Sequence, residues 1–575
     1  MFKWTKKWLP VFYVITYMFF LALNNPVYTQ PVSPQSPVPK RIVFSGTSNI
    51  YGEYYNASGI DDRRPPATGR ISLNPNLQIM NLVSLSMQML ISTEGTQTRQ
   101  NMNILGLHPR WKWGYAHLGD FSDNYSQHTL NGINVKGGEL AIFPKNIRFS
   151  LGGGQTRRAV DDISINESYD QYAYFSKMGY GDESQTFFDL IFLKVKDDSE
   201  SIEKPVDWDY TYIIPDTMEN ILDTIWVEPP YNPVSVTPQE NMVVGVNSRL
   251  AIFQQKIVLE LDASGSAFSR DLNADKISFD EIESSEILEN IYANLFTPRA
   301  GSSFDYAFNS TLNLNFQQVK LRFGYRHIGP GYVSLGTPSN INDWREFQFR
   351  SNFKITKHRI RVSWNRMNNN LSDQKLETNI RNQYQVGVYS MFERWRSNID
   401  FRYLGMDNIA DFDSLEWDYG NINFSTHQSL VFGRDNLLRQ VGLQYRFQGT
   451  DKNMTNEKTD SQYHTLNFTS SFRLPRAFTM NASAGISHRE SNHDENLTQV
   501  YSLRINHVAL EKKLTNSVFV SSNIVRDTRM FRTGVNSFYN LGKGYRLNGN
   551  IFYNLFNGQR EYKELKTSIR LSYQF

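Results

Sequence analysis

Basic side chains recur at alternate positions through the second half of this 575-residue chain. Lys320, Arg322 and Arg326 alternate with Val319, Leu321, Phe323 and Tyr325, and Arg350 and Lys354 alternate with Phe347, Phe349, Phe353 and Ile355. Arg359 and Arg361 flank Ile360 and Val362, and Arg394, Arg396 and Arg402 run against Trp395, Ile399, Phe401 and Tyr403. A period of two puts such residues on one face of a strand. A row of cations facing confined water concentrates anions and repels cations. From residue 304 onward this polar face carries sixteen basic residues against three acids, Asp305, Glu346 and Asp400, although the whole chain carries only +3. The acids must therefore sit mainly in loops. Two arrangements are open: an anion-favouring aqueous wall, or arginines paired with loop carboxylates folded inward. Upstream, Glu260 and Asp262 also fall on the polar face.

Other residue types offer less. Asp271, Asn273, Asp275 and Glu281 are spaced like a calcium-binding loop with one residue, the turn glycine, deleted. Calcium is thus the single cofactor the sequence suggests, and the alternative is a solvated acidic cap before a short amphipathic helix over 277–295. The long segments near 198–240 and 268–302 could fold into a pore or reach a ligand. The first of them is rich in aromatics and proline, including Trp208, Tyr210, Trp226, Pro229 and Pro230. Catalytic constellations are lacking. Gly152, Gly153 and Gly154 have no following Lys-Ser/Thr and read as a bend or close approach in a strand. His488 and His493 lie in a polar stretch without a metalloprotease or triad pattern. With no Cys, disulfides, thiolate metal sites and cysteine nucleophiles are excluded. No enzyme activity is expected. Cations spread singly along strands do not make a nucleic-acid-binding patch.

The elements that carry these residues are long strands. Even positions of 304–316 are Phe304, Tyr306, Phe308, Ser310, Leu312, Leu314 and Phe316, and the odd ones are polar or Ala. Runs of this kind are about 10–13 residues long, as tilted membrane strands require, whereas soluble strands stop near 5–6. Aromatics sit at run ends. Short connections, at 317–318, 356–357, 432–436, 474–476 and 541–544, alternate with longer polar ones near 327–344, 367–379, 405–419, 449–461, 488–497 and 555–562. That alternation is the arrangement of a transmembrane antiparallel β-barrel, with short periplasmic turns and long extracellular loops. About fifteen strands fit between Ser303 and Phe575. Further runs near 82–92, 111–118, 128–142, 147–158, 170–180, 184–197, 242–254 and 256–267 bring the total to 22–26, with 24 the central value. Mean hydropathy is negative, which excludes a helical polytopic protein.

The final strand resembles the C-terminal signature of Gram-negative outer-membrane barrels. Leu565, Thr567, Ile569, Leu571, Tyr573 and Phe575 alternate with polar residues. The resemblance implies that Tyr573 and Phe575 are recognised by the barrel-assembly machinery, and that outer-membrane lipid and lipopolysaccharide surround the wall. Residues 1–29 read as a signal peptide, with Lys3, Lys6 and Lys7 before an apolar run. Residues 30–40 read as a proline-rich tether, residues 41–81 as first strands or a small plug-like element, and residues 82–575 as the barrel. The stretch before the barrel is too short for the plug of a TonB-dependent receptor. The expected function is a porin-like channel for passive passage of polar, mainly anionic, solutes. The alternative is a non-conducting scaffold or secretion-associated barrel that binds partners through its loops.

Overall fold

The computed structural model describes residues 42–94, 103–160, 167–202, 236–278, 295–338, 342–433, 436–454, 457–492 and 494–575. Twenty-six strands follow one another in chain order. They are β1 Ile42–Ser58, β2 Ala67–Ile79, β3 Val83–Ser92, β4 Ile104–Trp111, β5 Gly114–Phe121, β6 Val135–Ile142, β7 Ile147–Arg157, β8 Gln171–Gly181, β9 Phe187–Asp197, β10 Glu240–Ile252, β11 Ile257–Ser269, β12 Ser302–Asn315 and β13 Val319–Ile328. The others are β14 Trp344–Ile355, β15 His358–Asn368, β16 Glu377–Met391, β17 Trp395–Ala410, β18 Trp417–Val431, β19 Leu438–Met454, β20 Glu457–Leu474, β21 Phe478–Ser491, β22 Asp494–Ala509, β23 Leu514–Val525, β24 Thr528–Gly542, β25 Tyr545–Asn557 and β26 Tyr562–Gln574.

Each strand pairs with its chain neighbours, and β1 pairs antiparallel with β26, from Thr47 opposite Gln574 to Ser58 opposite Lys563. The sheet is therefore closed and has no free edge, which removes the aggregation hazard an open edge would carry. Phe44 stacks on Phe575 at 4.8 Å across this seam. The rim holding Phe575 carries short turns and is called the inner rim. A circular ring of this many strands, spaced about 4.8 Å and tilted about 40°, would be about 50 Å across.

The fifteen strands from β12 to β26 lie where alternation places them. The total exceeds the central value of 24 because residues 41–81 supply β1 and β2 of the wall and because one strand is hidden in the sequence. That strand is β4, whose Gly106 and Pro109 break the expected pattern. The run expected at 111–118 resolves into the end of β4 and the body of β5, and the run at 128–142 contributes only β6. Two expected outer loops are strands instead. Residues 449–461 and 488–497 are mostly absorbed by β19–β20 and β21–β22, which extend as ribbons beyond the span a membrane requires. Uninterrupted polar alternation costs nothing in water, so these strands do not end where the lipid ends. The segment 277–295, read as a helix, falls largely outside the described residues.

The interior differs between the two halves of the ring. Along β8 and β9 both faces are apolar: Tyr174 is 61% exposed on the outside while its neighbour Phe175 is 1% exposed inside. Inward-facing Ala173, Phe175, Ile191, Leu193, Val195 and Val243 form a core with Phe121, Tyr125, Leu130 and Val135. The residues that cover this wall come from the β5–β6 connection, 122–134, which folds into the barrel. Gly152 is required here, because a Cβ on it would lie 2.5 Å from the Phe175 ring. The glycine run thus marks a close approach rather than a phosphate loop.

Candidate functional site

The lumen is the candidate site, and the basic wall singled out from the sequence is built by β13–β17. Cross-strand register sets the positions: Arg322 lies opposite Arg350, Lys354 opposite Arg359 and Asn352 opposite Arg361. Alternation turns Val319, Leu321 and Phe323 outward and these cations inward. Of the ten basic residues singled out from the sequence, nine are exposed and only Arg326 is half-buried. Arg326 is also the one with a carboxylate partner among the described residues, Glu346 Oε2 at 3.5 Å. Arg361 donates to Asn352 Oδ1 at 3.4 Å. Arg394 is displaced from the wall: it lies in the inner-rim turn before β17, because the strand starts at Trp395. Three further cations, Arg381, Arg489 and Arg532, share the inward face by register. Their signal in the sequence is the same alternation, blurred by polar residues such as Asn382, Glu490 and Thr533 on the other face.

From β7 to β11 and at the seam the wall is neutralised by pairing. Arg148 is paired with Asp189, and Arg157 with Asp197 at 3.0 Å. At the seam Glu53 accepts from Lys566 at 2.9 Å and from Arg64 at 3.3 Å. Glu260 is 3.8 Å from Arg249, and Asp262 accepts the backbone N–H of Gln127 at 2.8 Å. Exposed cations without a carboxylate partner among the described residues therefore begin at β13, are densest from β13 to β17, and continue at Arg446, Arg489, Arg504, Arg532, Arg546 and Arg570 to β26.

Two outer connections enter the lumen and bind each other. In residues 122–134, Thr129 is fully buried, and its carbonyl accepts Ser334 Oγ–H at 2.9 Å. The other is the β13–β14 connection, where Tyr332 Oη–H donates to the His128 carbonyl. Asn131 N–H donates to the Gly336 carbonyl at 2.9 Å. Gly336 has no room for a Cβ, which would lie 2.4 Å from both the Thr129 carbonyl and the Leu193 side chain. The pair is fixed to the wall by Asn241 and Asp262. At its outer end Asp343 bonds to Lys375 and accepts the Leu371 N–H at 2.7 Å. Burial opposes ionisation of Asp343, but these donors outweigh it and hold the carboxyl below its ordinary value.

His128 sits in this strap with its Nε2 buried and without a hydrogen-bond partner. Burial, and then the Arg326 guanidinium, lower its pKa from 6.5 to about 4. Arg326, Glu346 and Tyr332 line the cleft around it, and Asp262 receives the neighbouring N–H. A released strap takes up a proton near pH 6.5, whereas the packed strap resists it. Packing is thus at full strength above about pH 6.5 and is lost as pH falls toward about 4. The expected result is a rise in single-channel current and noise over this interval, flattened in His128→Phe.

The exterior shows what surrounds the wall. Leu118, Leu140, Leu151, Met178, Leu190 and Ile569 are all exposed on the outward face. At the inner rim Trp395 stacks on Phe392 at 5.2 Å and Tyr545 on Tyr573 at 4.2 Å, as an interfacial girdle does. A closed sheet in which every strand is paired on both sides, with an oily belt and aromatic ends, is the one β-architecture that spans a bilayer. This is a bacterial outer-membrane β-barrel. Tyr573 and Phe575 lie at the inner rim of the seam, their rings 5.4 Å apart.

No known family profile matches this chain, and no curated protein does. Among solved structures it is similar to the P pilus usher (PapC) translocation pore, at 10% identity and a TM-score of 0.38, over 92% of this chain and 99% of that one. It is also similar to Acinetobacter baumannii OccAB2, at 12% identity and a TM-score of 0.29, over 59% of this chain and 93% of that one. A third is opdK of Pseudomonas aeruginosa, at 9% identity and a TM-score of 0.28, over 59% and 94%. Likenesses at this level say nothing of what passes through this outer-membrane barrel.

The calcium-loop residues are only partly placed. Asp271 Oδ1 accepts the Asn273 N–H at 2.8 Å, a local turn bond, and Asp275 offers its carbonyl to Ala300 N–H at 2.9 Å. Glu281 lies outside the described residues, as does most of 198–240. Among the described residues one group of metal-ligand type is assembled, and it is elsewhere: His117, Asp123 and Glu139.

Proposed function

We propose that this barrel conducts polar, predominantly anionic, solutes passively along the wall whose cations are densest at β13–β17. The observation that carries the reading is the exposure of eight of the nine singled-out cations that lie on the wall, with no carboxylate within ion-pairing distance of them among the described residues. Solvated, unpaired cations on an enclosed wall favour anions by field focusing. An interior packed by arginine–carboxylate pairs would have buried them. The strap packs against β8–β11 and abuts the start of this sector at Arg326 and Glu346, while the other wall cations stay exposed. Reversal potentials of reconstituted channels in a salt gradient test the reading. Anion preference is expected. Cation preference would overturn the anionic reading, and no conductance at all would favour a filled barrel that acts through its loops.

A further inference from the structure

The β4–β5–β6 hairpins and the start of the β5–β6 connection place two imidazoles and two carboxylates together on the lumen side. His117 lies directly opposite Glu139 in the β5–β6 register. Asp123 follows two residues after β5 and bends back over them. One ligand atom from each of the three lies within 4.8 Å of the others. On the β4 side, His108 Nδ1 is 2.7 Å from His117 Nδ1.

Glu139 is 4% exposed, and its two oxygens are treated differently. Oε1 accepts the Tyr125 hydroxyl at 2.8 Å, while Oε2 is buried with no partner. Asp123 is held by the Tyr115 hydroxyl at 2.7 Å and by the Asn124 N–H at 2.7 Å. Neither carboxylate has an ion-pair partner among the described residues. The nearby Lys177 ammonium lies over the Tyr125 ring at 4.6 Å and pairs with Glu183 at 3.4 Å. Two adjacent carboxylates and an imidazole, walled by the Phe121 and Tyr115 rings, call for a cation.

We propose that His117, Asp123 and Glu139 bind one divalent transition-metal ion of the zinc class, with His108 orienting the His117 ring. An imidazole nitrogen with two carboxylate oxygens suits zinc and its neighbours better than magnesium or calcium, which take oxygen alone. Zinc bonds of 2.0–2.2 Å put tetrahedral donors roughly 3.4 Å apart, so the present spacing closes by about an ångström on binding. With His117 Nδ1–H donating to His108 Nδ1, His117 Nε2 is left unprotonated for the metal, the usual arrangement of a partner behind a metal ligand. Asp123 and the Tyr125 that supports Glu139 belong to the 122–134 connection. A bound ion would therefore clip that connection to the wall.

The full-length barrel, purified in detergent and stripped with chelator, would be titrated calorimetrically with zinc chloride and followed optically with cobalt chloride. One ion per chain is expected, with visible d–d bands for cobalt and little competition from magnesium or calcium. His117→Ala, Glu139→Gln and the loop change Asp123→Asn should each weaken binding by about tenfold or more. His108→Ala should weaken it by about 10–100-fold while leaving one ion per chain. Heat-modified gel mobility checks that each variant is folded. Absence of zinc binding by the wild type would overturn the proposal and assign a shared proton to the two carboxylates. Unchanged affinity in the three ligand variants would overturn it as well. The readout is independent of conduction.

Discussion

Replacing Arg322, Arg350 and Arg361 together by glutamate should invert the ion preference of the channel. The three lie on adjacent strands, all exposed, with Arg322 directly opposite Arg350. The change shifts the local charge by two units at each position in the sector where cations are unpaired. Field focusing along such a wall alters local ion concentrations by roughly tenfold or more, so the permeability ratio should move from anion to cation preference by about that factor. High salt should blunt the difference, because screening over about 10 Å at 0.1 M ionic strength weakens the wall potential. Folding should not suffer. Like charges opposite each other on paired strands are unfavourable, so Arg350→Glu alone should stabilise the β13–β14 pair by about 0.2–1 kcal/mol. An unchanged reversal potential in the triple variant would mean that ions travel elsewhere.

Asn241→Leu should release the strap and enlarge the conductance. Asn241 is fully buried at the start of β10. Its amide nitrogen donates to Ser266 Oγ at 3.0 Å, to the Ala267 carbonyl at 3.1 Å and to the Val333 carbonyl at 3.0 Å. Its oxygen accepts the Leu335 N–H at 2.9 Å. Leucine has similar volume and replaces none of these bonds, and it leaves the Leu335 N–H buried and unpaired. The cost is about 2–4 kcal/mol, concentrated in the contact between the strap and the wall. The strands themselves keep their ladders, so heat-modified mobility and β-sheet circular dichroism should be retained while single-channel current rises. A variant with wild-type current would show that the strap does not limit flow.

The sequence revealed the wall better than what fills it. Strands β12–β26 each carry an oily face toward lipid and a polar one toward water, and a period of two is visible wherever that contrast holds. It fails from β4 to β10. In β9, Phe188, Leu190 and Phe192 face out while Ile191, Leu193 and Val195 face the strap core, so hydrophobicity does not alternate at all. The strap was equally hard to see, because Thr129, Leu130 and Ile133 look like strand residues until their packing inside the barrel is known. The charged face of β13–β17 was legible, and the lack of carboxylate partners for all but Arg326 was not, since pairing depends on where loops fold. The cluster of His117, Asp123 and Glu139 left no motif. Two of its members meet only through cross-strand register, and the third arrives by a reversal of the chain just past β5.

The seam between the first and last strands also fixes an order of events. Gly46 and Phe575 exchange backbone hydrogen bonds at 3.0 and 3.2 Å, and Tyr55 reaches Glu564, 509 positions away. Such a junction cannot form until the final strand has been delivered, so the wall must grow as a curved ribbon that closes in one last step. A chain interrupted before β26 would leave bare backbone on both β1 and β25. Assembly is therefore all-or-none, and a shortened product would be a substrate for proteolysis rather than a leakier pore.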